Sequence, residues 1–108
     1  MPVRSARLGV GNTDPANVEH VLVSCPPGRT LLVKDIRLEC NGAVPFGGLF
    51  LVSGARRVSV FFGSFTTSEI RSSTGFIVLE PGDEIRIFAD AGRLSFWVSG
   101  AELEGVAP

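Results

Sequence analysis

The chain has one histidine, His20, and this limits the metal and acid–base chemistry that is open to it. His20 follows Glu19, and no cysteine or aspartate stands near it at the spacing of metal ligands. A protein metal site needs three or four convergent donors, and metal-binding enzymes of the cupin type take several histidines and a carboxylate from facing strands. The sequence therefore predicts a structural strand histidine, no metal and no other cofactor.

Two cysteines, Cys25 and Cys40, are the other candidates for nucleophilic or redox chemistry. Nothing near Cys25 marks it as an activated nucleophile, and the sequence contains no Gly-x-Ser-x-Gly elbow that would present a serine. Disulfides belong to oxidising compartments, and Cys40 occupies a core-like strand position. We expect two buried thiols and a protein that is not an enzyme.

The paired carboxylates Asp83 and Glu84, with Glu80 nearby, could flank a calcium ion or a glycosidic bond. A calcium site, however, needs more oxygen ligands than this local sequence offers. Acidic residues are also common in turns, where they bond to the backbone. The turn interpretation is therefore favoured over a binding site.

This acidic turn is the second copy of a phrase that occurs twice, as Pro26-Pro27-Gly28-Arg29 and as Glu80-Pro81-Gly82-Asp83. Each copy stands between two apolar runs that are typical of strands. Proline presets φ at the second position of a turn, and glycine supplies a positive φ at the third. Both phrases are therefore predicted to be turns between strands.

Alternation of apolar and polar residues dominates the rest of the chain, and no window sustains the spacing of an amphipathic helix. Residues 35–40 alternate cleanly and send Ile36, Leu38 and Cys40 to one face. The preceding run, residues 31–33, has the opposite parity, which a β-bulge near Lys34 explains. About seven or eight short strands follow, and we predict an all-β fold, a single antiparallel β-sandwich of the jelly-roll type.

The last two strands are predicted to form a hairpin that turns at residues 90–93. One parity sends Ile85, Ile87 and Ala89, and then Leu94, Phe96 and Val98, into the core. The other parity places Arg86 opposite Trp97 in a cation–π contact with Phe88 beside them. An outward Phe and Trp need a cover, which the chain's own N-terminal arm or long loop supplies as readily as another subunit. The candidate interface residues are Phe61, Arg86, Phe88 and Trp97.

Two segments fall outside this regular pattern. Residues 1–17 contain glycines, Asp14 and Pro15, which interrupt a strand, so they are predicted to form an N-terminal arm or edge strand ahead of a β-sandwich domain over residues 18–108. Residues 63–75 are polar and are predicted to form a long connection with at most one short strand. Its length indicates either a crossover between sheets or an exposed binding loop, because long connections in compact domains are commonly functional or mobile.

The composition excludes some partners and favours others. Hydrophobic residues make up 44% of the 108 residues and charged residues 19%, so a partner that covers apolar surface is expected. The net charge of -1, without any basic run, excludes the electrostatic footprint of a nucleic-acid binder. The longest apolar run, residues 49–52, is too short to span a bilayer, and Met1 to Arg4 lack the apolar region of a signal peptide. We therefore expect synthesis in the cytoplasm and no membrane partner.

Two stretches of the chain resemble a family of small bacteriophage virion proteins with a β-sandwich fold. The opening phrase runs from Val23 through Pro27-Gly28 to Ile36 and on to Asn41-Gly42, and the closing phrase runs from Val78-Leu79 through Pro81-Gly82-Asp83 to Ile85 and ends at Phe96 to Gly100. Together they cover a little under half of the chain.

This resemblance implies a non-enzymatic structural component of a bacteriophage virion. A minor tail protein that assembles as a homo-oligomer is the first expectation, and a capsid decoration protein is the second. Its location would be the virion, and its partners would be copies of itself and other virion proteins. The alternative from a different class is a carbohydrate- or receptor-binding module that uses the loop over residues 63–75.

Overall fold

A computed structural model describes the backbone of residues 3–104 and the side chains of residues 7–75 and 77–103. These residues form eight strands. Their bounds are β1 Val3–Asn12, β2 His20–Ser24, β3 Arg29–Asn41, β4 Val44–Ser53, β5 Arg56–Phe65, β6 Ile70–Leu79, β7 Glu84–Ala89 and β8 Arg93–Glu104. The predicted number of strands is confirmed. Met1 and Pro2, at the start of the predicted arm, and residues 105–108 lie outside the described residues.

The strands form two antiparallel sheets that pack face to face. Sheet A has the order β1-β8-β3-β6, and sheet B has the order β2-β7-β4-β5. Only β4 and β5 are consecutive strands that pair within one sheet; every other connection in the described chain passes from one sheet to the other. The prediction of an all-β sandwich of the jelly-roll type is confirmed.

The core lies between the sheets and is built from alternate residues of each strand. Leu38 and Cys40 on β3 are fully buried, as are the inward residues of β7 and β8 that the alternation predicted. These last are Ile85, Ile87, Ala89, Leu94, Phe96 and Val98. Burial of one large apolar side chain contributes roughly 1.5–3 kcal/mol of transfer free energy, so this shared core holds the two sheets together.

The predicted bulge at Lys34 is confirmed. Between Val33 and Asp35, two steps along β3 match one step along β8, so Lys34 is the extra residue, and the pairing of β3 with β6 also shifts at this point. The extra residue lets Val33 and Ile36, which have opposite parity, both point inward, and both are buried. A bulge is the usual way in which a strand changes parity without leaving its sheet.

The two proline-glycine phrases form turns that lie side by side. The amide of Arg29 donates to Pro26 O at 3.3 Å, and the amide of Asp83 donates to Glu80 O at 2.9 Å, which closes each turn. Cys25 then joins them, because its amide donates to Asp83 O at 2.9 Å and its carbonyl accepts from Gly82 N at 3.0 Å. The repeated phrase therefore builds one corner of the sandwich.

The predicted hairpin of the last two strands is wrong. β7 belongs to sheet B and β8 to sheet A, so residues 90–92 cross the sandwich instead of reversing within one sheet. Asp90 fixes this crossing to β4, since its amide donates to Phe46 O at 3.0 Å and its carboxylate accepts from Phe46 N at 3.1 Å. Gly92 is required here, because its φ is +65° and an added Cβ would lie 2.4 Å from Gly42 O.

The predicted long loop over residues 63–75 is also wrong. β5 continues to Phe65 and β6 begins at Ile70, which leaves residues 66–69 as a short turn, although this connection does cross from sheet B to sheet A as one of the two alternatives expected. That turn is closed by Glu69, whose carboxylate accepts from the amide of Thr66 at 3.0 Å. Among the described strands β6 is an edge strand that pairs only with β3, so Ser72 and Thr74 face solvent, Ser73 is half-buried opposite Ile36, and residues 71–75 carry no hydrophobic alternation. The alternative function loses the loop on which it depended.

The N-terminal segment pairs with the last strand. β1 lies at the edge of sheet A beside β8, with a register shift between Arg7 and Gly9. Beyond β1, Thr13 is fully buried and exchanges two hydrogen bonds with Leu94. The amide of Thr13 donates to Leu94 O at 3.0 Å, and its hydroxyl accepts from Leu94 N at 3.0 Å. These bonds tie the end of β1 to the beginning of β8.

Close packing at Gly100 gives a test of this arrangement. An added Cβ at Gly100 would lie 1.9 Å from Leu32 O, a rigid backbone atom beside the Lys34 bulge, whereas one at Gly11 would meet only the end of the Leu22 side chain at 3.0 Å. We expect Gly100→Ala to lower the free energy of unfolding by about 2 kcal/mol, and Gly11→Ala by less than about 1 kcal/mol. Urea denaturation at matched protein concentrations measures both. Equal effects of the two substitutions would contradict the described packing of β3 against β8.

Candidate functional site

The outer face of sheet B carries a cluster of phenylalanines, which we call the aromatic patch: Phe46, Phe50, Phe62 and Phe88. Pairing places Gly48 between Phe62 on β5 and Phe88 on β7. Gly48 has no side chain to fill the space between these rings, so a shallow groove opens there. Phe46 packs edge to face on Phe62 with the ring centroids 4.6 Å apart. Such a pair is favourable beyond its buried area.

Two rings of the aromatic patch are open to solvent. Phe46 is 52% exposed and Phe62 is 37% exposed, whereas Phe50 is only 5% exposed although it also lies on the outer face. Phe50 is covered by Arg57, whose guanidinium carbon stands 4.7 Å from the ring centroid. The patch therefore has a covered half and an uncovered half.

An ion-pair network crosses the covered half. Arg57 donates to both carboxylate oxygens of Glu19, at 2.7 and 2.9 Å. Arg86 donates to Glu19 at 3.2 Å and to Glu84 at 2.7 and 3.0 Å. Each charge in this network has a partner of opposite sign, so the network neutralises itself beside the open rings.

The network shifts the ionisation of its members. The hydrogen bond from Arg57, helped by Arg86, lowers the pKa of the Glu19 carboxyl below its ordinary value. The hydrogen bond to Glu84, followed by that to Glu19, raises the pKa of Arg86. Both shifts favour the charged forms that make the ion pairs.

The outer face of sheet A is different in character, because charged and hydroxyl side chains surround one tryptophan and the exposed aliphatic residues Val10, Ile70 and Val78 are spread around them. Trp97 on β8 stands opposite Val10 on β1 and Arg37 on β3, and Arg37 stands opposite Ser72 on β6. On either side of this row, Asp35 pairs with Ser99 and Glu39 pairs with Ser95. We call the depression lined by Asp35, Arg37, Glu39, Ser72, Trp97 and Ser99 the Trp groove.

The structure separates the four predicted interface residues. Arg86 and Phe88 share the outer face of sheet B, as expected, but Trp97 lies on the opposite face of the sandwich. The predicted contact of Arg86 with Trp97 is therefore wrong, because alternation along a strand fixes its inward face but not the sheet to which it belongs.

Phe61 was expected to face outward and instead packs against the core. Pairing of β4 with β5 shifts between Leu49, which faces Phe61, and Phe50, which faces Ser59. Val60 is the extra residue of this bulge. The parity of Phe61 therefore follows Leu49, an inward residue, and Phe62 takes the outward position.

Sequence reasoning did not assign Phe46, Phe50 and Phe62 to the candidate interface. The available signal was the pair Gly47-Gly48 inside an aromatic strand, since a glycine within a strand often marks a site where another backbone or a ligand approaches closely. An added Cβ at Gly48 would lie 1.9 Å from Phe61 O. The glycine is thus needed for the pairing of β4 with β5 that brings these rings together.

The side chains whose types could support chemistry have structural partners. The ring Nε2 of His20 lies 2.9 Å from Pro15 O. The carboxylate of Asp83 accepts from the amide of Glu80 at 3.0 Å, as a turn residue does. Over the described residues, no three histidine, cysteine or acidic side chains come together as a metal site, and none of these residues belongs to a helix able to cross a bilayer.

Both cysteines are buried free thiols. The sulfur of Cys25 lies 3.3 Å from both Arg29 O and Leu79 O, either of which its single proton can reach, and the sulfur of Cys40 donates to Gly42 O at 3.2 Å. Burial raises the pKa of both thiols, which keeps them in the unreactive protonated form.

Comparison with known proteins gives a likeness in fold. No protein-family model matches the sequence, and no curated protein matches it. A protein of the Bacillus endospore appendages, described as a novel family of disulfide-linked pili, superposes with a TM-score of 0.62 over 96% of this chain and 89% of that chain, at 9% identity. The jelly-roll sandwich is therefore a shared architecture.

Two further structures are similar at lower scores. The Drosophila NLP core, whose structure concerns pentamer formation and histone binding, has a TM-score of 0.49 at 12% identity, over 95% of this chain and 97% of that chain. A chain of infectious bursal disease virus, Gt strain, has a TM-score of 0.45 at 12% identity. The superposition covers 94% of this chain and 32% of that viral chain.

The ion-pair network predicts a pH-dependent contribution to stability. Because the folded-state pKa of Glu19 is lowered, its contribution is present above the unfolded-state pKa and is lost as pH falls through the folded-state pKa. We expect Glu19→Gln to lower the melting temperature at neutral pH and to match the parent protein in acid well below about pH 4. Thermal unfolding across this pH range measures the difference.

Glu39→Gln is the matched control for this experiment. Glu39 makes no ion pair or side-chain hydrogen bond within the described part of the chain. We expect it to change the melting temperature little at any pH. A Glu19→Gln deficit that persists unchanged in acid would show that the stabilisation is not electrostatic.

Proposed function

We propose that this protein is a non-enzymatic structural subunit that assembles with copies of itself through the aromatic patch. The observation that carries the proposal is the exposure of Phe46 and Phe62, two rings in mutual contact on the outer face of sheet B. Large aromatic side chains are enriched at the centres of protein interfaces, where their burial supplies much of the binding free energy. Two exposed rings in contact are unusual on the surface of a monomeric protein, where exposed apolar residues are normally scattered singly.

The charges around the patch suit such an interface. Burial of an unpaired charge would oppose association, because the charge loses its hydration without gaining a partner. Here Glu19 and Arg86 are already paired within the subunit. A second copy can therefore cover the phenylalanines without leaving an isolated charge at the contact.

The fold of the endospore appendage protein supports self-assembly. That protein has the same architecture and belongs to a family of pili, so a jelly-roll sandwich of about this size can serve as a repeating subunit. Those pili are disulfide-linked. Cys25 and Cys40 are buried within the subunit, so we propose assembly by non-covalent contacts alone.

More specifically, we propose a component of a bacteriophage virion, a minor tail protein in the first place and a capsid decoration protein in the second. Support comes from the resemblance of the two proline-glycine phrases to those of small virion proteins. The protein would be made in the host cytoplasm and function in the virion, with other virion proteins as further partners.

Removal of the exposed rings tests self-assembly. We expect the protein to be an oligomer at micromolar concentration, and the double substitution of Phe46→Ser and Phe62→Ser to raise the dissociation constant by at least about tenfold, since each is an interface anchor. Size-exclusion chromatography with light scattering measures the mass over a dilution series. Val78→Ser, which removes an equally exposed apolar side chain from β6, is the control and should leave the mass unchanged.

A parent protein that is a monomer throughout the dilution series would overturn the proposal. An oligomer whose mass is insensitive to the double substitution would keep self-assembly but place the interface elsewhere.

The buried thiols give a second test of how the subunits associate. We expect the oligomer to have the same mass with and without a reducing agent, and both cysteines to react with a thiol reagent only as the protein unfolds, because burial protects them. Light scattering and a colorimetric thiol assay measure these properties. Dissociation on reduction would show that intermolecular disulfides hold the assembly.

Mass spectrometry of purified particles tests the virion assignment. Particles would be induced from a host that carries the gene and purified on a density gradient. Peptides of this chain should then occur in several copies per particle. Their absence from particles that contain the other structural proteins would exclude the virion role and leave the self-assembly proposal standing.

A further inference from the structure

The Trp groove lies on the face of the sandwich that the aromatic patch does not use. Its central row runs across sheet A from Val10 through Trp97 and Arg37 to Ser72. Four strands at a spacing of about 4.8 Å make this row roughly 14 Å long. The depression around it has a volume of about 610 Å³. It is an extended, shallow site rather than an enclosed cavity.

The charged side chains of the groove are available for a ligand. Neither Asp35 nor Arg37 nor Glu39 makes an ion pair or side-chain hydrogen bond within the described part of the chain. This contrasts with the outer face of sheet B, where Glu19 and Arg86 are each bound to a partner. The hydrogen-bond acceptors of Asp35 and Glu39 and the donors of Arg37 are therefore unpaired beside the tryptophan.

The tryptophan itself presents a free ring face. Trp97 is 39% exposed, and among the described side chains no aromatic ring or cation stacks on it. Arg37 is its direct cross-strand neighbour and yet does not cover the ring. The exposed indole is flat and largely apolar, and Ser72 and Ser99 line the same depression.

We propose that the Trp groove binds a carbohydrate. A sugar ring has an apolar face of C–H groups that packs on an aromatic ring, and a rim of hydroxyls that both donate and accept hydrogen bonds. The carboxylates of Asp35 and Glu39 accept from such hydroxyls, and the guanidinium of Arg37 donates to them. Charge-assisted hydrogen bonds of this kind are stronger than neutral ones and give orientation to the ligand.

The same chemistry disfavours other ligands. A nucleic acid would meet Asp35 and Glu39 beside the stacking ring, and although Arg7 and Lys34 line the adjoining depression, these mixed charges do not form the basic surface that phosphates need. An apolar peptide or a subunit surface would bury Asp35, Arg37 and Glu39 without partners, at a cost in desolvation. A neutral oligosaccharide satisfies all three side chains and stacks on Trp97.

This inference is independent of the proposed self-assembly. The aromatic patch and the Trp groove belong to opposite sheets, so association through sheet B leaves the groove open. A subunit built in this way would display many copies of a weak sugar site on one particle. Multiple weak sites on one assembly give a high overall affinity.

Trp97 is also a specific reporter of binding, because it is the only tryptophan in a chain without tyrosine. The assembled protein is screened on an array of short neutral oligomers of hexoses and N-acetylhexosamines. The strongest array ligands are then titrated while the emission of Trp97 and its quenching by acrylamide are recorded. We expect a saturable change in emission and protection from acrylamide.

Variants identify the site. Asp35→Asn and Glu39→Gln keep the size of each side chain and should weaken binding by at least about fivefold, since each removes a charged acceptor. Trp97→Ala should weaken it by at least about tenfold when binding is followed by calorimetry. Val78→Ser, on the same sheet face but outside the groove, is the matched control and should bind as the parent does.

Three outcomes would overturn the proposal. One is an array without a ligand at high protein concentration. Another is a ligand whose affinity is unchanged in the two carboxylate variants, because that ligand would bind elsewhere. The third is an assembled protein in which Trp97 is protected from acrylamide before sugar is added and becomes accessible on dilution, since the groove would then lie between subunits.

Discussion

The fold depends on a corner at which two turns are joined by backbone hydrogen bonds. Cys25 bonds to Gly82 and Asp83, so the crossing from β2 to β3 lies against the crossing from β6 to β7. Both crossings pass between the sheets. Their union therefore places β2 beside β7 in sheet B and β3 beside β6 in sheet A at the same time. Proline and glycine recur in both turns because each must reverse the chain in few residues while leaving the amides at Cys25 and Gly82 free to pair.

A second corner is built in the same way, by contact between a different pair of crossings. Gly42 lies between β3 and β4, Gly92 lies between β7 and β8, and an added Cβ on Gly92 would lie 2.4 Å from Gly42 O. Contact between these two crossings places β3 beside β8 and β4 beside β7. Two contacts between remote turns thus specify four strand pairings. Since the partners are far apart in sequence, the fold is dominated by non-local contacts, which is the topology associated with slow folding.

This dependence on remote turns explains what the sequence could and could not predict. Alternation correctly identified the inward residues of β7 and β8 and the bulge at Lys34, because parity is a local property of each strand. It could not tell that Arg86 and Trp97 face away from each other, because parity does not identify the sheet. Ser72 and its neighbours on β6 looked like a loop because an edge strand that faces solvent needs no apolar side chains. Phe61 was misplaced by a bulge at Val60, for which the sequence carried no distinct mark.

A two-sheet sandwich has two outer faces. The side chains on one outer face can differ in character from those on the other, because neither face contributes to the shared core. On sheet B, Arg57, which is bound to Glu19, covers Phe50 and leaves Phe46 and Phe62 exposed, so this face can make apolar contacts. On sheet A, the hydrogen-bonding groups of Asp35, Arg37 and Glu39 lie beside Trp97 and are unpaired within the described part of the chain, so this face can make directional polar contacts. A subunit that buries the first face against another copy keeps the second for a different molecule. Assembly and recognition can then be combined in one small domain without competing for surface.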